Sequence, residues 1–207
     1  MAVSAARQLL LSDGPQAVTL KAVAAELGMT HGNITHHFGS VGGLHAALIG
    51  TMTRELTQVV EHLAREMRAN RSSPREIVDT VFDAFGRGGA TRLIAWVELS
   101  GKRADLAPFH AAVADLVDAL TGAVPGRRKT DSAQVTLAVL LPALGHTLLA
   151  QDLDAELGLS DGAVRDQVAM SLTAMLRLQA RQQRRSVGQG RAKKPSEPRP
   201  PRRRVEA

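Results

Sequence analysis

The 207-residue sequence has no cysteine and no tyrosine, and only one tryptophan and four phenylalanines. Without cysteine there is no disulfide, no thiolate metal ligand and no cysteine nucleophile. With so few aromatics, the 44% of residues that are hydrophobic must build an aliphatic core. Alternation of the strand type is missing over long stretches, and alanine and leucine favour helix, so an all-α fold is expected. There is no nucleophile elbow, phosphate loop or His-Glu-x-x-His motif, so no enzyme chemistry, cofactor or metal site is expected. Residues 1–11 make a poor signal peptide, because Arg7 interrupts a short apolar stretch. The longest uncharged run, 132–151, contains Gln134, Pro142, Gly145 and His146. It barely reaches the ~20 residues a membrane span needs. A buried helix in a cytoplasmic protein is the expectation.

The net charge of +6 is unevenly placed. Residues 181–207 hold ten Lys or Arg against two Glu, while the other 180 residues carry a net of −2. Residues 1–45 carry only Arg7 and Lys21 against Asp13 and Glu26.

Periodicity and breakers divide the chain into about nine helices. A first helix over 2–12 turns Val3, Ala6, Leu9 and Leu10 inward and ends at Asp13-Gly14-Pro15. Thr19 caps a second, on which Leu20, Val23, Ala24 and Leu27 share one face. Gly28 stops it. Thr30 caps a short third helix with Ile34 and Phe38 inward, and Ser40 caps a long fourth reaching about Asn70. The second and third helices, joined by Gly28-Met29-Thr30, have helix-turn-helix spacing. Pro74 opens a fifth helix that ends near 86–89. Further helices are expected over 91–100, 105–121, 132–151 and 160–181. The last carries Val164, Val168, Leu172, Met175 and Gln179 on one stripe close to heptad spacing. Prolines and basic clusters make 184–207 a disordered tail. Three parts follow: 1–45, 46–183 and 184–207.

The stretch Thr19-Leu20-Lys21-Ala22-Val23-Ala24-Ala25-Glu26-Leu27-Gly28-Met29-Thr30-His31-Gly32-Asn33-Ile34-Thr35-His36-His37-Phe38 resembles the DNA-binding module of the TetR family of repressors. The close likeness covers about residues 3–50. It implies an N-terminal helix-turn-helix domain, a C-terminal helical ligand-binding and dimerisation domain, and a repressor released from operator DNA by a small apolar effector. The chain departs from the family pattern at Thr35, where an aromatic is usual, at Val41, where a basic residue is usual, and at Gly42 and Gly43. These departures leave a second reading open: a dimer that binds ligand or protein and holds DNA weakly.

The resemblance places the outer face of the third helix, His31, Gly32, Asn33, Thr35 and His36, in the major groove. Asn33 suits a bidentate contact to adenine. Thr19, Thr30, Lys21, His36 and His37 are the candidate phosphate contacts, with Arg7 and Arg54 also available. Protonation of His31, His36, His37 and His45 would add positive charge where Arg and Lys are scarce. In the second domain the resemblance implies a mainly apolar cavity, with His62, Phe82, Phe85, Trp96, Phe109 and His146 as candidate lining. Homodimerisation is expected through the helices from Ser132 to Gln151 and from Ser160 to Arg181, because one recognition helix covers too few bases.

Overall fold

The computed structural model describes residues 1–150, 153–160 and 162–192, with side chains to 184. Among them are ten α-helices and no strand. The head is α1 (Ala2–Asp13), α2 (Leu20–Glu26) and α3 (His31–Phe38). The long α4 (Val41–Arg68) crosses the expected division at 45/46 without a break. Then come α5 (Pro74–Gly86), α6 (Ala90–Leu99), α7 (Ala107–Gly122), α8 (Lys129–Leu149), α9 (Leu153–Glu156) and α10 (Ala163–Ala192).

The head's boundaries follow from local chemistry. The hydroxyls of Thr19, Thr30 and Ser40 accept from the amides of Ala22, Asn33 and Gly43, each satisfying a donor that the first helical turn leaves open. Gly28 and Gly39 take φ of 61° and 72°, the left-handed region in which a side chain is strained. Ala6, Leu10, Val23 and Ile34 are almost fully buried, so the three helices share one apolar centre with Leu44 and Leu48 of α4.

In the second domain α4 packs against α7, and α5, α8 and α10 close the bundle. Gly50 lies in the middle of α4, where glycine costs ~1 kcal/mol relative to alanine. A Cβ there would stand 2.9 Å from Pro108 Cβ, so Gly50 lets α7 approach closely.

Some boundaries differ from expectation. α8 opens at Lys129, three residues early, because its first turn is tied by Arg128 to Asp131 at 2.6 Å. A 3₁₀ turn, Arg103–Leu106, replaces the expected start of α7, and Pro108 then occupies that helix's first turn. The tenth helix is the one-turn α9. α10 continues to Ala192, past the expected end at 181, so residues 184–192 are helical rather than disordered, since the first proline of the tail is Pro195. The expected disorder of 193–207 lies outside the described residues, as does the expected helix end at Gln151.

By length and composition alone, α8 is apolar enough to cross a membrane. It packs on α5, α7 and α10, and Val139, Leu140 and Ala143 are buried. On α10 the expected stripe faces the protomer's own core: Val168, Leu172 and Gln179 are buried and Val164 and Met175 half-buried.

Candidate nucleic-acid interface and effector cavity

Two faces of α3 have different surroundings. Ile34 is buried and Phe38 half-buried against the head's core. His31, Gly32, Asn33, His36 and His37 are exposed, and Thr35 is half-buried. Thr19, Lys21 and Thr30 are exposed beside them. The structure therefore leaves every proposed DNA-contact residue at or near the surface.

Three of the sequence expectations need correction. His45 is buried, with its Nε2 donating to the carbonyl of Val18 at 2.9 Å, so it lies away from this face. Arg7 pairs with Glu55 at 2.8 Å, which engages one of the head's two cations. The Thr35 hydroxyl donates to the His31 carbonyl at 2.9 Å, so its donor is spent inside α3. In contrast, Thr19 accepts from an amide and keeps its O–H for an outside acceptor.

Gly32 is the informative residue of the face. It sits in the first turns of α3, yet a Cβ there would meet only Thr30 Oγ1, at 3.9 Å. Among the described residues no neighbour requires the missing side chain.

A cavity of about 500 Å³ lies between α4, α5, α7, α8 and α10. Its walls are mainly aliphatic, with Leu56, Val60, Ile77, Val81, Leu116, Leu140 and Leu172 among them. Of the six candidates, only Phe85 lines it. Phe109 is buried in the core outside the lining, His62 is exposed on α4, and Trp96 is 43% exposed on α6. Phe82 and His146 line a separate, polar cleft with Asp83 and Arg165. There His146 Nε2 lies 2.6 Å from Asp154 of α9.

The cavity also holds residues that the sequence did not single out. Thr53 and Thr57 belong to the inward stripe of α4, and polar residues four apart on an apolar stripe were a readable signal. Arg68, Arg127 and Arg177 stand at its rim. Nothing in their sequence context separates them from surface cations. Among the described residues no group of three His, Cys, Asp or Glu is placed to hold a metal ion.

Residues 2–48 match the family model described as bacterial regulatory proteins, tetR family. Over those residues the chain is similar to that family's DNA-binding domain. Two solved structures share the fold of this chain. One is the multidrug binding protein EbrR complexed with ethidium, 20% identical, TM-score 0.61, with 84% of this chain and 95% of that one covered. The other is a putative TetR-family transcriptional regulator from Mesorhizobium loti, 12% identical, TM-score 0.57, covering 86% and 94%. No curated protein matches the chain.

Proposed function

We propose that the chain is a homodimeric repressor that reads operator DNA with α3 and leaves it when a small apolar molecule occupies the cavity. The carrying observation is the α3 face. Exposed His31, Asn33 and His36 surround Gly32, whose missing Cβ nothing among the described residues explains. A bare backbone at that place suits close approach to a base edge. Asn33 is free to pair with adenine, and the Thr19 and Thr30 helix starts suit phosphates.

Exposed apolar residues support a second part of this reading, pairing with another copy of the chain. Leu137 and Leu141 on α8 and Met170 and Leu178 on α10 are 46–68% exposed, an apolar surface suited to a four-helix interface. Two recognition helices must also stand about 34–36 Å apart to enter successive major grooves. The cavity volume falls in the range of ~300–1,000 Å³ common for small-molecule sites. A protein of the same fold is described in complex with a small molecule, ethidium, which favours a small-molecule effector of some kind here. An effector releases DNA only if it binds the released form more tightly. In this reading the chain is a regulator in the cytoplasm and not an enzyme.

The second reading, a dimer with weak DNA affinity, is favoured by the engaged Arg7 and Thr35 and by the head's zero formal charge. Footprinting on the DNA upstream of the chain's own coding sequence separates the two. A protected two-fold symmetric site at physiological salt supports the repressor. Protection absent there, and only salt-sensitive non-specific binding elsewhere, supports the alternative.

A further inference from the structure

The cavity's polar atoms are concentrated at one end. Arg68 closes α4, Arg127 lies in the loop before α8, and Arg177 on α10 stands two residues before Gln179. Gln179 ties that end together: its Oε1 accepts from Arg127 Nη2 at 3.0 Å and its Nε2 donates to the Asp131 carbonyl at 3.0 Å. This is the end far from α1–α3, since Thr53 and Arg68, both in the lining, stand roughly 22 Å apart along α4.

We propose that the cavity takes an apolar anion, with its acid group against Arg68, Arg127 and Arg177 and its hydrocarbon body among the aliphatic walls. This rests on the effector reading above and names the ligand class. Three observations carry it.

The lining holds three guanidinium groups and no carboxylate. The acids at that end of the bundle are taken. Glu66 is paired with Arg71 at 2.6 Å, Asp118 with Lys129 at 2.5 Å, and Asp131 with Arg128 at 2.6 Å. Arg68 and Arg177 have no ion pair among the described residues.

Arg127 Nε is buried without an acceptor. A buried N–H of that kind is rare in a finished structure, because it gave up water and received nothing. Burial lowers the pKa of the Arg127 guanidinium; Asp131 opposes the shift and the like charge of Arg68 adds to it. The rim is thus an unbalanced positive site that an anion would neutralise and a cation would worsen.

Apart from Asn70, the remaining polar lining has its donors engaged and offers a ligand only acceptor lone pairs. The hydroxyls of Thr53, Thr57, Thr136 and Thr173 each donate to a carbonyl of their own helix, at 2.8, 3.0, 3.0 and 2.8 Å. The interior threonines therefore have no proton to give a ligand, and the charged donors stand at the rim.

The test is calorimetric titration of the full chain with three ligands of equal tail: decanoate, decan-1-ol and decyltrimethylammonium. Decanoate is expected to bind at least about tenfold more tightly than the other two, the scale of a charge-assisted hydrogen bond. Arg68→Met and Arg177→Met should each weaken decanoate by about tenfold and leave decanol unchanged. Both side chains are exposed, so neither variant leaves a buried group unpaired. Equal affinities, or preference for the cation, overturn the proposal and leave the effector cavity standing. No binding by any of the three, or binding that survives Val139→Trp in the cavity wall, overturns the effector reading as well.

Discussion

Arg165 of α10 holds two acids of α5 at once: it reaches Asp83 at 2.8 Å and Asp79 at 3.3 Å, one helical turn apart. Its guanidinium carbon also lies 5.3 Å from the Phe82 ring centroid. The first prediction concerns this clamp. Arg165→Ala should cost about 1–2 kcal/mol, combining partly exposed ion pairs with a cation–π contact. Urea unfolding measures it. The pH dependence has a fixed sign. Burial pushes the Asp83 carboxyl up, but hydrogen bonds from Arg165 and Arg87 outweigh it and hold the carboxyl below its usual range. A depressed carboxyl contributes stability above its unfolded value, ~3.9, and loses it as pH falls through the folded value. The wild-type chain should therefore lose stability below about pH 4, and Arg165→Ala should lose less there than the wild type.

Gly32→Ala should act in opposite directions on stability and binding. Replacing a solvent-facing helical glycine whose Cβ has open space should stabilise the chain by ~0.5–1 kcal/mol. The same methyl stands where α3 would meet a base edge, so operator affinity should fall. Thermal unfolding and gel retardation of the one variant check both. A variant that is more stable and binds DNA equally well would remove Gly32 from the interface.

Leu141→Glu should dissociate the dimer. Leu141 is 58% exposed on α8, so the charge is tolerated in the single chain and is buried only between copies. Sedimentation at micromolar concentration should show one chain per particle, with the helical circular dichroism unchanged. A variant that still sediments as a dimer places the interface elsewhere.

Gly43→Ala should destabilise the head by about 1–3 kcal/mol, the usual cost of overpacking. A Cβ at Gly43 would lie 2.0 Å from the carbonyl oxygen of Phe38, a backbone atom that cannot step aside cheaply. Differential calorimetry on the variant reads the loss.

Some of this was legible in the sequence because the chemistry is local. Thr19, Thr30 and Ser40 each satisfy an amide three residues on, and Gly28 and Gly39 supply the backbone angles that end a helix. Those interactions are contained in a window of a few residues, and so was the identity of the outward face of α3. The cavity was less legible because its rim comes from three segments that meet only in the bundle. Arg68, Arg127 and Arg177 are ordinary cations in sequence, and their common place depends on how Gln179 meets the loop before α8. Trp96 shows the converse: a large aromatic in an apolar stretch reads as lining, yet the helix that carries it turns it outward. Gly43 read as a departure from the family pattern, and its reason, the approach of Phe38, appears only in three dimensions.

α4 is a single stiff rod of 28 residues, about 42 Å, that belongs to both halves of the molecule. One stretch forms a cavity wall, and near the other end His45 is fastened to Val18 of the head. Between His45 and Arg68 only Gly50 interrupts it, and that glycine is packed against Pro108 of α7. Such a rod converts angle into distance. A tilt of about 5° pivoting at Val60 would swing His45, roughly 22 Å away, by about 2 Å, and the recognition helix fastened beside it would travel with it.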